Sequence, residues 1–220
     1  MSARYTATRT SLRTAGIMLI FTVVFTAVMS QTYRVTQPAI EASQVQEKMR
    51  LINEVLTPGS FNNELLADHV DIGPTPELGL DRGGRIYRAR RDGEPVALIL
   101  EAVARDGYAG RIQLVVAVGA DGRLGGVRAV SHSETPGLGD YIDPKKDRDK
   151  TRPWIAQFAG IAFSDVAPER WKVKRDGGAF DYRIGATISA RAVTHATSRA
   201  LAYATRHGRE LFEAPTGTRL

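Results

Sequence analysis

Cysteine is absent from the 220 residues, which excludes disulfides, iron–sulfur clusters and thiolate metal sites. Any electron transfer by this chain therefore needs a borrowed cofactor. Acidic residues are absent from residues 1–40, where Arg4, Arg9 and Arg13 stand. Charge of either sign is absent from residues 14–33, around the apolar run 15–29. At about 1.5 Å per residue, a helix over 14–33 spans roughly 30 Å, the hydrocarbon thickness of a bilayer. One transmembrane crossing is expected, with residues 1–13 cytoplasmic, Tyr33 at the outer interface and the chain after Arg34 exported. A cleavable signal peptide would need small residues at both positions before the cut. Ala27 with Met29 fits that poorly and Val28 with Ser30 only passably, so the helix is read as retained in the membrane lipid. Internal repeats and low-complexity tracts are also missing.

The formal charge is +6, from 30 basic and 24 acidic side chains. The two signs are interleaved, as in residues 145–150, where Asp147 and Asp149 separate lysines and Arg148. This mixture describes a solvated surface rather than a nucleic-acid stripe, and no nucleic-acid partner is expected. The four histidines, His69, His132, His195 and His207, form no recognisable relay with a serine and a carboxylate, which argues against an independent hydrolase. No metal site and no catalytic residue is assigned.

Beyond the crossing, residues 34–60 read as a helical connector. Ile40, Val45, Met49, Ile52 and Leu56 recur at spacings of three to five over 39–56, and Pro58-Gly59 ends the run. Strands are expected at 85–89, 96–103, 112–118 and 126–130, separated by the turn dipeptides Asp92-Gly93, Asp106-Gly107 and Asp121-Gly122. A short helix falls in 152–163, and further strands are expected at 171–174 and 180–183. The longest helix after the anchor is expected at 188–207, where Ile188, Ala192, Ala196, Ala200 and Tyr203 mark one face. Strands grouped before helices give an α+β fold: an antiparallel sheet with packed helices over 61–212, followed by a tail at 213–220.

Two stretches carry chemistry. The first is Asp181-Tyr182-Arg183-Ile184-Gly185-Ala186-Thr187-Ile188-Ser189, in which a tight Gly-Ala turn delivers Thr187 to a helix start. The first turn of a helix offers unpaired N–H groups and the positive end of the dipole, which suits a phosphate. On spacing alone, the commonest role of such a threonine is to cap its own helix. Ser189 has the same choice between capping and touching phosphate. The second stretch is His132-Ser133-Glu134-Thr135-Pro136-Gly137-Leu138-Gly139-Asp140. Pro136 suits the first corner of a turn, Gly137 is free to take positive φ, and Gly139 would let the backbone lie close to a flat ligand. Leu138 would be an apolar contact for a ring. Glu134 either accepts a hydrogen bond from the ligand or binds backbone N–H groups beside the turn. Trp154 and Trp171 read as core aromatics, and Tyr108 as packing on the sheet edge.

The first stretch resembles the flavinylation motif of the FMN-binding domain family, found in the G subunit of Rnf electron transport complexes and the C subunit of the sodium-pumping NADH:quinone reductase. That motif is an aspartate, two free positions, a serine or threonine, then Gly-Ala-Thr. Asp181, Gly185, Ala186 and Thr187 match it, and Ile184 stands where the family has serine or threonine. The Glu134–Gly139 stretch is similar to a second family element. Asp106-Gly107-Tyr108, the run 154–160 and the run 174–181 extend the resemblance over nearly the whole chain and toward the Rnf member of the family. The resemblance implies FMN joined by a phosphoester to Thr187, with Asp181, Gly185 and Ala186 as recognition and turn elements. It places Glu134, Thr135, Gly137, Leu138 and Gly139 beside the ring, and Ser189 near the phosphate. It further implies the A, B, C, D and E subunits of the Rnf complex as partners, and a separate Mg-dependent flavin transferase that uses FAD for maturation. The domain would lie in the periplasm, anchored in the bacterial inner membrane, in ferredoxin- and NAD-linked electron transfer coupled to ion movement. The competing expectation is a membrane-anchored, noncatalytic structural or sensory module of the same domain type.

Overall fold

The computed structural model describes residues 2–57 and 59–220, except the side chains of residues 2–6, 41 and 44; Pro58, expected to help end the connector helix, lies outside the described residues. Residues 1–49 and 50–220 form two compact units.

The first unit lies within α1 (Ser2–Val55). α1 contains the one stretch among the described residues that is long and apolar enough to cross a membrane. Its side chains from Ile17 to Met29, including Phe21 and Phe25, are exposed. α1 runs from the expected spanning segment into the expected helical connector, with Pro38 inside it. A proline removes one main-chain bond without forcing the chain out of the helix. In the preceding turns Thr32 Oγ1 donates to Val28 O (2.9 Å) and Thr36 Oγ1 to Thr32 O (2.9 Å), back-bonds of the kind that bend a helix.

The second unit is an α+β domain built on one antiparallel meander in the order β1-β2-β3-β4-β5. The strands are β1 (His69–Ile72), β2 (Gly84–Arg91), β3 (Glu94–Gly107), β4 (Gly110–Gly119) and β5 (Leu124–Ser131). β2 to β5 contain the four expected strands. β1 is an addition to them, because four residues of alternating burial are too short a signal to read in sequence. Asp92-Gly93 is the β2–β3 turn, with φ of 52° and 89°. The expected turn at Asp106-Gly107 is displaced: a bulge after Ala104 carries β3 to Gly107, which pairs with Gly110 around Tyr108 and Ala109.

One face of the sheet carries Leu98, Leu100, Ala102, Leu114, Val116 and Val127, packed against α2 (Thr187–Glu213). Ala190, Val193, Thr197, Ala200 and Ala204 recur at three and four on α2 and are buried, so small side chains let the helix lie close to the strands. On the other face are Tyr87, Ala89, Ala97, Ile99, Val115 and Ala117, buried together with Leu51, Ile52, Val55 and Leu56 from the end of α1. Gly125 and Gly126 permit this approach, since a Cβ on either would come within 2.8 Å and 3.1 Å of Val55 backbone atoms.

Residues 132–186 have no strand; they form short 3-10 turns, including Trp154–Phe158 in the segment expected to be helical. The strands expected at 171–174 and 180–183 reduce to one parallel bridge, Val173 to Phe180, with the turn Lys174–Asp176 and Gly177 at φ 81° looping out between them. Edge-to-face and stacked aromatic contacts run through this segment beside its turn hydrogen bonds. Tyr141, Trp154, Phe158, Phe180, Trp171 and Phe163 form a continuous series with centroid separations of 5.3, 5.5, 5.0, 4.8 and 6.0 Å. Residues 217–220 return to β1: Gly217 N donates to His69 O (2.8 Å) and Leu220 N to Asp71 O (2.9 Å).

Candidate functional site

A cavity of about 340 Å³ opens where α2 begins. Its walls come from four places: the β3–β4 turn at Tyr108, the 134–139 loop, the 174–176 turn with Arg175, and the turn before Thr187 with the first residues of α2. Glu134, Thr135, Leu138, Gly139, Gly185, Ala186, Thr187 and Ser189, all singled out in the sequence, line it together. Gly137 and Asp181 do not line it. Gly137 shapes the loop instead: at φ 75° it follows Pro136 in a turn closed by Leu138 N donating to Thr135 O (3.1 Å). Asp181 is an exposed residue paired with Lys174, and its main chain is held by Gln157 Oε1 and the Trp154 indole (2.7 Å each).

Thr187 is the first residue of α2 and only 5% exposed. Ala186 occupies the cap position and no side chain caps the helix there. The hydroxyl of Thr187 is thus not used as a cap, and Arg175 Nη1 donates to it at 3.2 Å. The approach turn is fixed from behind. Ala186 N donates to Arg183 O (3.1 Å), with Gly185 at φ 91° and Ile184 at the corner, 93% exposed. The side chain at the position where Ile184 departs from the family motif therefore takes no part in holding the turn. Tyr141 OH donates to Ala186 O (3.1 Å) and accepts from Arg183 N (3.3 Å). Burial pushes the Tyr141 phenol up to about 12, so this donor persists at ordinary pH. Arg183 pairs with the fully buried Asp147 and lies over the Tyr141 ring at 4.9 Å.

Glu134 makes the main-chain contact that is one of its two expected roles. It is 4% exposed and accepts from Ala109 N (3.1 Å) and from the Ser189 hydroxyl, so the acid ties the loop to both the β3–β4 turn and α2. Ser189 neither caps α2 nor stands free. Gly139 also lines the cavity, and a Cβ there would meet Ser189 Oγ at 2.6 Å and Glu134 Oε2 at 2.8 Å, so the missing side chain makes room for this pair. Three further lining residues, Tyr108, Ile188 and Arg175, carry no signal of this role in the sequence. Tyr108 does not pack on the sheet edge but stands at the rim, 68% exposed; Ile188 and Leu138 are exposed beside it at 42% and 53%. Arg175 is, in sequence, one charge in a mixed run. Among the described residues no group of three or more His, Asp or Glu is disposed to hold a metal.

The loop has an acid-sensitive contact. Glu134 N donates to His132 Nδ1 at 3.2 Å, which requires that nitrogen to be unprotonated. Burial, then the nearby Lys146, holds the His132 pKa below its ordinary 6.5, and burial acts on His195 in the same direction. An unfolded chain takes up these protons first as pH falls. The resulting stability is complete above 6.5 and is lost on acidification below it. Urea midpoints are expected to fall between pH ~7.5 and ~5.5, and less steeply in His132→Gln. Equal slopes in the two proteins would contradict this role of His132.

Two family models match the chain: the FMN-binding domain over residues 107–202, and the RnfG N-terminal region over residues 1–55. Curated relatives, each named as the G subunit of an ion-translocating oxidoreductase complex, are similar over most of their length. The protein of Pseudomonas aeruginosa PAO1 is 42% identical over 195 residues, 89% of each chain. That of Shewanella loihica is 37% identical over 207 residues, 94% of this chain and 95% of its own. That of Vibrio cholerae N16961 is 35% identical over 207 residues, 94% and 96%.

Proposed function

This chain belongs to the family of G subunits of Rnf ion-translocating oxidoreductase complexes, electron-transport flavoprotein subunits with an FMN-binding domain, and on that premise we propose that its FMN is joined by a phosphoester to Thr187. The observation that carries this reading is a threonine hydroxyl that caps no helix, at the start of a long helix, lining a cavity and sheltered from bulk water. The residues present fit the group. Thr187 offers the oxygen, the first N–H groups of α2 lack intrahelical acceptors, and Tyr108, Leu138 and Ile188 offer exposed apolar surface at the mouth. The bound flavin supplies electron transfer; the chain holds it in place and limits water at the ester.

Attachment falls to a separate Mg-dependent flavin transferase. Thr187 Oγ1 would supply the oxygen that accepts the FMN phosphoryl group, and the transferase would remove its proton and release AMP from FAD. The tether has a physical purpose. Arg4, Arg9 and Arg13 keep the amino end cytoplasmic, so the domain lies in the periplasm of an inner-membrane protein, where a dissociated flavin nucleotide is not readily replaced. The partners are the A, B, C, D and E subunits of the complex, in ferredoxin- and NAD-linked electron transfer coupled to ion translocation.

The test is a peptide mass map of the full chain co-expressed with the transferase. An FMN-phosphoryl adduct on the peptide containing Thr187 is expected. An unmodified chain, or an adduct confined to another residue, would overturn the assignment.

A further inference from the structure

The charges of the 174–176 turn have different fates. Lys174 pairs with the Asp181 carboxylate. Asp176 takes Nε and Nη2 of Arg191 at 2.7 and 2.9 Å, which ties the turn to the first turns of α2. Gly177 ends the turn in the left-handed region, and Gly178 lies so close to Lys172 O that a Cβ would sit 1.8 Å away. Between these two pairs, Arg175 has no ion-pair partner among the described residues. It lines the cavity, and its polar contact is the 3.2 Å donation to Thr187 Oγ1. A guanidinium uses five N–H donors best on a phosphate or carboxylate, and a neutral hydroxyl satisfies only one. The acid in the cavity wall, Glu134, is already engaged by Ala109 N and Ser189. The cavity therefore holds a cation whose strongest natural partner is an anion placed next to the Thr187 oxygen.

We propose that Arg175 makes a phosphate subsite here: it distinguishes flavin 5′-phosphate from unphosphorylated flavin, and it positions the phosphorus against Thr187 Oγ1. The inference rests on the reading that the cavity holds FMN, but not on a covalent bond. Arg175 is itself exposed, so solvent screens its charge and the discrimination is modest, about tenfold or somewhat more.

Thr187→Ala full chain, purified in detergent without the transferase, separates binding from attachment. FMN and riboflavin are titrated into it by flavin fluorescence. FMN is expected to bind about tenfold tighter than riboflavin. Adding Arg175→Gln should bring the two affinities together by weakening FMN alone, and adding Arg175→Lys should keep part of the preference. A loss of folding would instead weaken both ligands together, and unchanged melting curves check this directly. Equal affinities in Thr187→Ala, no measurable FMN binding, or a preference that survives Arg175→Gln would overturn the proposal. None of these results bears on the Thr187 adduct, which the peptide map of wild type decides by itself.

Discussion

Thr187→Ala is expected to abolish covalent flavin completely while leaving the fold nearly untouched. In-gel flavin fluorescence and the adduct mass should both disappear from protein made beside the transferase. Unfolding stability should change by less than about 1 kcal/mol, because the hydroxyl accepts only one hydrogen bond, from an arginine that is itself exposed and can turn to solvent. The structure supports this separation of effects. The hydroxyl caps nothing, since the cap position is Ala186 and carries no side-chain bond, and alanine is a better helix former than threonine. The closest rival acceptor is Ser189, whose hydroxyl donates to Glu134 in the same cavity wall. That contact could activate an oxygen as well as occupy it, so the rival has to be tested. Ser189 is 1% exposed, however, and packs against the space left by Gly139, deeper than Thr187 at 5%. Thr187→Ser should therefore retain the adduct and Ser189→Ala should not remove it. An adduct that persists in Thr187→Ala and vanishes in Ser189→Ala would move the attachment to Ser189.

The sheet could be read from the sequence because its signals are local. The short apolar runs 96–103 and 112–118 and the Asp-Gly turns act within a few residues, and the core strands lie there. The reading failed where one residue changed the count: the bulge after Ala104 moved the turn from Asp106-Gly107 to Tyr108-Ala109. It failed again at 171–183, where apolar residues that resemble strands serve an aromatic core instead. The site divides in the same way. Its two motifs each carry a local conformation, Pro136-Gly137 and Gly185-Ala186, and those conformations appear as expected. What joins them is nonlocal. The Ser189–Glu134 bond spans 55 positions and the Tyr141–Ala186 bond 45, and no residue pattern announces either. Arg175 escaped notice for a related reason. In sequence it is one charge between Lys174 and Asp176, and only the pairing of those neighbours elsewhere leaves it facing Thr187.

Arg88→Met is expected to cost about 3–5 kcal/mol, a large part of the roughly 5–15 kcal/mol that holds a domain of this kind together. In β2 the residue looks like an ordinary polar position, yet it is 2% exposed and faces the same side of the sheet as its partner Leu98. Its guanidinium gathers three distant pieces of chain. Nε donates to Asp68 Oδ1 at 2.7 Å, Nη2 to Thr216 Oγ1 at 2.7 Å, and Nη1 to Leu211 O at 3.2 Å and to Ala214 O. The carbonyls at the end of α2 have no intrahelical donor and carry the negative end of the helix dipole, so a cation is the natural cap. Methionine keeps the length and apolar stem but removes every donor. Asp68 then keeps Arg90 Nε at 3.0 Å, Asn63 Nδ2 at 3.2 Å and Thr216 Oγ1 at 3.3 Å, but among the carbonyls Arg90 reaches only Phe212 O, at 2.6 Å, so Leu211 O and Ala214 O lose their guanidinium donor. Unpaired buried acceptors cost their full desolvation, which is why the penalty exceeds that of an ordinary surface ion pair. Urea unfolding of the full chain in detergent, followed by Trp154 and Trp171 fluorescence, measures it; a loss below about 1 kcal/mol would show that Arg90 suffices as the cap. Because the lesion lies at the far end of α2 from Thr187, protein that still folds should accept flavin at the normal site, and loss of loading without loss of stability would contradict this division of labour along the helix.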